Sequence, residues 1–109
     1  MDEINQENNY ALRKIKYQET QMINICDLSL IGKEINQGDF SISISKDYFY
    51  SEEITKEDAI KILKSSSIIN LVGKDIVDLA LSLNLAKKNS VKIIENIPFL
   101  MIFKFSGMY

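Results

Sequence analysis

Few side chains in this 109-residue chain are equipped to make or break a bond. Histidine is absent, which removes both the commonest general base near neutral pH and the commonest transition-metal ligand. The single cysteine, Cys26, is followed by Asp27. A neighbouring carboxylate raises a thiol pKa, whereas a nucleophilic thiolate needs it lowered, so Cys26 is read as a buried structural residue. Asp27 precedes Leu28-Ser29-Leu30-Ile31-Gly32, the pattern of one helical turn opened by a carboxylate cap and closed by a residue tolerant of positive φ. Asp27, Glu34 and Asp39 lack the spacing of any metal-binding loop, and no cofactor or metal is expected.

Other groups are better suited to recognition. Asn70 stands before apolar residues at Val72, Ile76, Ala80 and Leu83, with Leu79 beside them, a helical spacing for which Asn70 is the natural N-cap. The first amides of such a helix could hold an anion, with Gly73 permitting close approach and Lys74 and Lys33 supplying charge. The reading set against this one, and preferred to it, has Asn70 as a cap and Gly73 as the close crossing point of two helices. Tyr48-Phe49-Tyr50 falls in an expected loop, where aromatic rings stack on bases, anchor a protein partner, or pack as a lid over the sheet edge. The candidate ligand or partner contacts are Asp27, Lys33, Tyr48, Tyr50, Asn70, Gly73 and Lys74.

The elements that must position these residues follow from periodicity. Residues 11–17 and 22–26 alternate apolar with polar and are expected to pair as strands. Residues 33–35 resume an extended path, Asn36-Gln37-Gly38-Asp39 supplies turn chemistry, and Phe40-Ser41-Ile42-Ser43-Ile44-Ser45 alternates without a break. Thr55 with Asp58 reads as the start of a helix that ends near residues 65–67, and Ile54 with Ala59 occupies the positions of a hydrophobic staple. The second helix is expected to run from Asn70 to about Leu85, with Asn84 as a left-handed terminator. Residues 91–95 and 99–105 complete the set as strands around a turn at Asn96-Ile97-Pro98. In the last strand Phe99, Met101, Phe103 and Phe105 face one way and Leu100 and Ile102 the other, which places it in the middle of a sheet covered on both sides. This predicts an α+β fold: a single domain with a mainly antiparallel sheet of five or six strands and two helices packed on it.

Composition narrows the function classes. Apolar residues make up 46% and charged residues 26% of the chain, the balance of a globular domain. Residues 10–105 are read as that domain, residues 1–9 as a flexible polar arm and residues 106–109 as a tail. No apolar run approaches the roughly 20 residues of a membrane-spanning helix, and acidic residues near the start argue against a secretory signal, so a cytoplasmic location is expected. A net charge of −2 argues against nonspecific nucleic-acid binding, which rests on a basic excess.

Three segments together carry a family likeness. Residues 26–33, Cys-Asp-Leu-Ser-Leu-Ile-Gly-Lys, followed by Gly38; Ile69-Asn70-Leu71-Val72-Gly73; and Ile97-Pro98 near the end occur in the order and spacing of an archaeal family. The chain resembles domain-of-unknown-function family 424. That family often places a small residue, Pro, His, Ala and Gln in its last turn, where this chain has Ile97-Pro98-Phe99-Leu100-Met101, so no catalytic role transfers through that turn. The resemblance implies a partner class, the archaeal translation apparatus, and no reaction. The expected function is a non-enzymatic binding module for a ribosomal subunit or translation factor. The competing expectation is a small-ligand or nucleotide-binding protein, or an enzyme, with an anion site at the start of the second helix.

Overall fold

The computed structural model describes residues 7–104. Eight strands are present among them: β1 (Asn8–Tyr17), β2 (Thr20–Asp27), β3 (Glu34–Gln37), β4 (Phe40–Ser43), β5 (Glu52–Thr55), β6 (Ile68–Val72), β7 (Lys92–Ile94) and β8 (Ile97–Phe103). Three helices accompany them, α1 (Lys46–Phe49), α2 (Lys56–Ser65) and α3 (Lys74–Ser82). Six strands form one sheet in the order β5-β1-β2-β6-β8-β7, and β3 and β4 form a separate hairpin. Only the β2–β6 pair of the large sheet is parallel. The domain is thus α+β with a mostly antiparallel sheet. Its first strand opens at Asn8, ahead of the expected boundary at Tyr10; residues 1–6 of the expected arm and the tail at 106–109 lie outside the described residues.

The alternation of each strand separates two apolar layers. Leu12, Ile23, Ile25, Ile69, Leu71, Leu100 and Ile102 point to one face, where Ala59 and Leu63 of α2 and Ile76, Val77 and Ala80 of α3 cover them. The opposite face carries Cys26, Val72, Ile94 and Phe99, on which Ile35 and Ile44 of the hairpin and Phe49 of α1 pack. The β3–β4 hairpin and α1 shield only part of this second face. Met101 and Phe103 lie beyond them, 54% and 57% exposed.

Local signals explain most boundaries. Thr55 Oγ1 accepts from the Asp58 amide at 3.2 Å, and Ile54 and Ala59 are both buried, so the expected cap and staple start α2. Asn84 adopts φ 62° just past the end of α3. The final hairpin turns at Glu95 and Asn96, with φ of 50° and 67°, one step earlier than expected; positive φ at both central residues is the requirement of a tight turn matching the strand twist. Pro98 therefore sits inside β8. Its carbonyl accepts from Gly73 N, and its missing amide falls where β6 has already ended.

Three expectations need correction. Residues 68–72 form a strand, because Ile69 and Leu71 fill the helix-side core while the segment hydrogen-bonds between β2 and β8. Helix α3 accordingly starts at Lys74, and Asn70 is not its cap. Tyr48 and Phe49 belong to α1, one short helical turn, and only Tyr50 lies outside it. The last strand is neither central nor covered on both faces: β7 lies beyond it, and the side chains of Met101 and Phe103 are largely exposed.

Candidate functional site

The parallel β2–β6 pairing brings two regions into proximity that are far apart in sequence. Cys26 lies opposite Val72, so the next residue of each strand, Asp27 and Gly73, meet at the mouth of α3. Asp27 Oδ2 accepts from the Asp75 amide and Oδ1 from the Ile76 amide, each at 2.9 Å. Asp27 thus caps α3 across the sheet and makes no side-chain bond to its own turn at Leu28–Leu30. A capping carboxylate satisfies orphan amides and sits at the positive end of the helix dipole.

Gly73 is shaped by the same contact. Its φ of 121° and ψ of 151° are open to glycine alone, and a Cβ there would lie 2.4 Å from the Asp27 carboxyl carbon. Its role is close approach to a carboxylate, where a helix crossing was expected. An external anion at this terminus would have to displace Asp27. Burial pushes the Asp27 carboxyl above its ordinary range, with the backbone hydrogen bonds acting in the opposite direction and the nearby Asp75 and Asp78 adding to the rise. The neighbouring Cys26 thiol is pushed up to about 12, by burial first and by Asp27 second.

Lys74, next in sequence, turns away and pairs with Asp78 at 2.9 Å on the exposed side of α3. That hydrogen bond raises the Lys74 pKa. Such an exposed pair contributes little to stability. Lys33 is exposed at the base of the β3–β4 hairpin, where its carbonyl accepts from Ile44 N. Tyr50 donates from its hydroxyl to Glu53 at 2.7 Å and lies beneath the Lys46 ammonium. Lys33 and Tyr50 enter neither the α3 mouth nor the groove described next.

Asn70 and Tyr48 do come together, through a residue that sequence reasoning missed. Asn24, 2% exposed, lies beside Asn70 in the parallel register. Its Oδ1 accepts from Asn70 Nδ2 at 3.0 Å, and its Nδ2 donates to the Tyr48 carbonyl at 3.0 Å. Asn70 Nδ2 also reaches Met22 Sδ at 3.0 Å. This chain of bonds ties the central strands to α1. A buried amide bonded through both its oxygen and its nitrogen, as Asn24 is, costs little, whereas an unpaired one is expensive. The signal was present in the sequence as two matching triplets, Ile23-Asn24-Ile25 and Ile69-Asn70-Leu71, each an amide between apolar residues.

Above this network runs a groove of about 620 Å³ on the second sheet face. Met22, Ile42, Tyr48, Phe99 and Met101 give it an apolar lining, and Lys92 is its one charged residue. The volume lies within the ordinary range for binding clefts. Among the described residues no cluster of three or more acidic or cysteine side chains is placed to hold a metal ion, and no helix is long and apolar enough to cross a membrane.

The profile of the family described as "Protein of unknown function (DUF424)" matches residues 15–105. The chain belongs to this family. A crystal structure of an uncharacterized conserved protein from Methanopyrus kandleri shares the fold with a TM-score of 0.75 and 17% identity, over 92% of this chain and 96% of that one. No curated protein matches the chain. The three sequence segments quoted above all fall within the matched residues: residues 26–33 span the Asp27 turn, residues 69–73 span most of β6 and the glycine beneath Asp27, and Ile97-Pro98 opens β8.

Proposed function

We propose that this member of the DUF424 family is a cytoplasmic, non-enzymatic binding module that docks a macromolecular partner on the open half of its second sheet face. The observation that supports the reading is the division of labour between polar and apolar groups. The polar side chains at the two junctions are engaged internally, Asp27 with the α3 amides and Asn24 with Asn70 and Tyr48. What faces outward beside them is apolar: Met101, Phe103 and the ring of Tyr48. A contiguous apolar surface next to a rigid hydrogen-bonded floor suits recognition by contact and shape.

The partner class, the archaeal translation apparatus, comes from the family resemblance. The test is co-sedimentation of tagged protein with ribosomal subunits from its own cells at low and high salt. Apolar docking predicts association that persists at high salt, since screening weakens charge contacts and leaves burial intact. Protein that stays in the soluble fraction at both salts refutes stable association with the ribosome. Thermal-shift screening with nucleotides and phosphates tests the competing ligand-binding reading, because a ligand at a hundred times its dissociation constant stabilises by about 2.7 kcal/mol.

A further inference from the structure

The backbone of β8 is only half used. Lys104 N donates to Ser67 O and Gly73 N donates to the Pro98 carbonyl, which fixes the alternation: residues 98, 100, 102 and 104 present their amides and carbonyls to β6. Residues 97, 99, 101 and 103 present theirs to the other side. There β7 pairs with residues 97–99 and begins at Lys92, opposite Phe99. Met101 and Phe103 therefore turn four backbone groups outward with no strand beside them among the described residues. The turn at Lys88–Ser90 closes on itself through Ser90 N and Val91 N and makes no backbone bond to this edge.

Unpaired strand edges are normally protected by charge. Two other edges of this sheet follow that rule: β5 carries Glu52 and Glu53, and the part of β1 beyond β5 carries Arg13, Lys14 and Lys16. The open stretch of β8 is Leu100-Met101-Ile102-Phe103, without a charge. The two residues with outward backbone are also the two with exposed apolar side chains. Donors and acceptors at this spacing are matched only by another extended chain.

We propose that this edge receives an extended segment of a partner protein, apolar at alternate residues to pack beside Met101 and Phe103, and acidic where it reaches Lys92. The segment pairs with β8 in the rank that β7 occupies further along, and its side chains on the open face enter the groove. Charge complementarity sets its chemistry, because Lys92 is the charged residue of the groove and stands where the added strand abuts β7. A second copy of this chain fits less well: antiparallel pairing about Ile102 would set Lys104 opposite Leu100, next to the end of β7, and would bring no acidic side chain to Lys92. This inference rests on the binding-module reading and names its partner's chemistry.

The test is selection of random short peptides displayed on phage against the full chain, followed by amide chemical-shift mapping with the selected peptides. Enriched sequences are expected to be apolar at alternate positions with Asp or Glu at one end, and to shift the Met101 and Phe103 amides most. Met101→Pro removes an outward donor and no bond to β6, and should weaken binding about tenfold, the scale of one to two hydrogen bonds. Met101→Ala keeps the donor and should weaken it less. Phe103→Lys serves where the proline variant fails to fold, and Lys92→Glu should weaken acidic peptides. No enrichment, enrichment without alternation, or unchanged binding by both edge variants overturns the proposal, as does a self-associated dimer that Phe103→Lys dissolves. Co-sedimentation stays separate: its success with a failed selection leaves the module standing and removes strand addition.

Discussion

Replacing Asp27 tests the junction on which the fold turns. Its carboxylate accepts two amides at 2.9 Å from the first turn of α3, one of them part-buried, and Asp27→Ala leaves both without a protein partner. Loss of an N-cap costs about 0.5–2 kcal/mol. Hydrogen bonds to charged acceptors contribute about 1.5–3 kcal/mol each, but here desolvation of the carboxylate, which outweighs those bonds in its pKa, offsets much of that gain. The expected net cost of Asp27→Ala is about 1–3 kcal/mol, read from urea unfolding followed by far-UV circular dichroism. Asp27→Asn keeps one acceptor, removes the buried charge, and should cost less.

The same pair of proteins carries a pH signature. Because the folded carboxyl titrates above its unfolded value, the folded state holds the proton more tightly, and the group's stability contribution is full below the unfolded pKa. It is lost as pH rises through the folded pKa. Relative to Asp27→Asn, wild-type protein should therefore lose stability as pH climbs out of the ordinary carboxylate range, then stay level toward neutrality. An Asp27→Ala protein within about 0.5 kcal/mol of wild type would refute the capping assignment. A stability difference that moves the opposite way with pH would refute the direction of the shift.

Gly73→Ala should destabilise by at least the ~1–3 kcal/mol of a backbone conformation that only glycine tolerates, and by less in an Asp27→Ala background, where the Cβ no longer meets a carboxylate; a double-mutant unfolding cycle measures the coupling. Cys26, fully buried with its thiol near 12, should resist iodoacetamide in native protein and react on unfolding, as mass spectrometry would show. Phe103→Ala should cost under about 1 kcal/mol because the ring is more than half exposed, whereas Leu100→Ala in the same strand should cost about 2–5 kcal/mol. Equal losses in the two urea titrations would contradict the placement of the open edge.

What was legible from the chain was the part governed by near neighbours. The β1–β2 pair, the β3–β4 hairpin, the Thr55 cap and the Asn84 stop all rest on residues within a few positions of one another. The α+β class followed from them. What was misread lies around β6. Ile68-Ile69-Asn70-Leu71-Val72 is a nearly unbroken apolar run rich in β-branched residues, as a buried strand can be, but Asn70 before Val72, Ile76 and Ala80 also satisfies the pattern of a capped helix. A short apolar run does not discriminate the two; pairing with β2 and β8 does.

The sequence by itself determined that this chain forms one mixed α+β domain and pointed to the family whose profile spans residues 15–105. Tertiary structure decided how those segments act. Asp27 and Gly73 were each read against their own neighbours, as a local cap and a helix crossing, yet they meet across a parallel pair separated by 46 positions. Asn24 gained importance only when its partner in register proved to be Asn70. The open edge of β8 likewise depends on where β7 stops, since alternation assigns residues to faces but not to neighbours, and only register says which backbone groups remain unpaired.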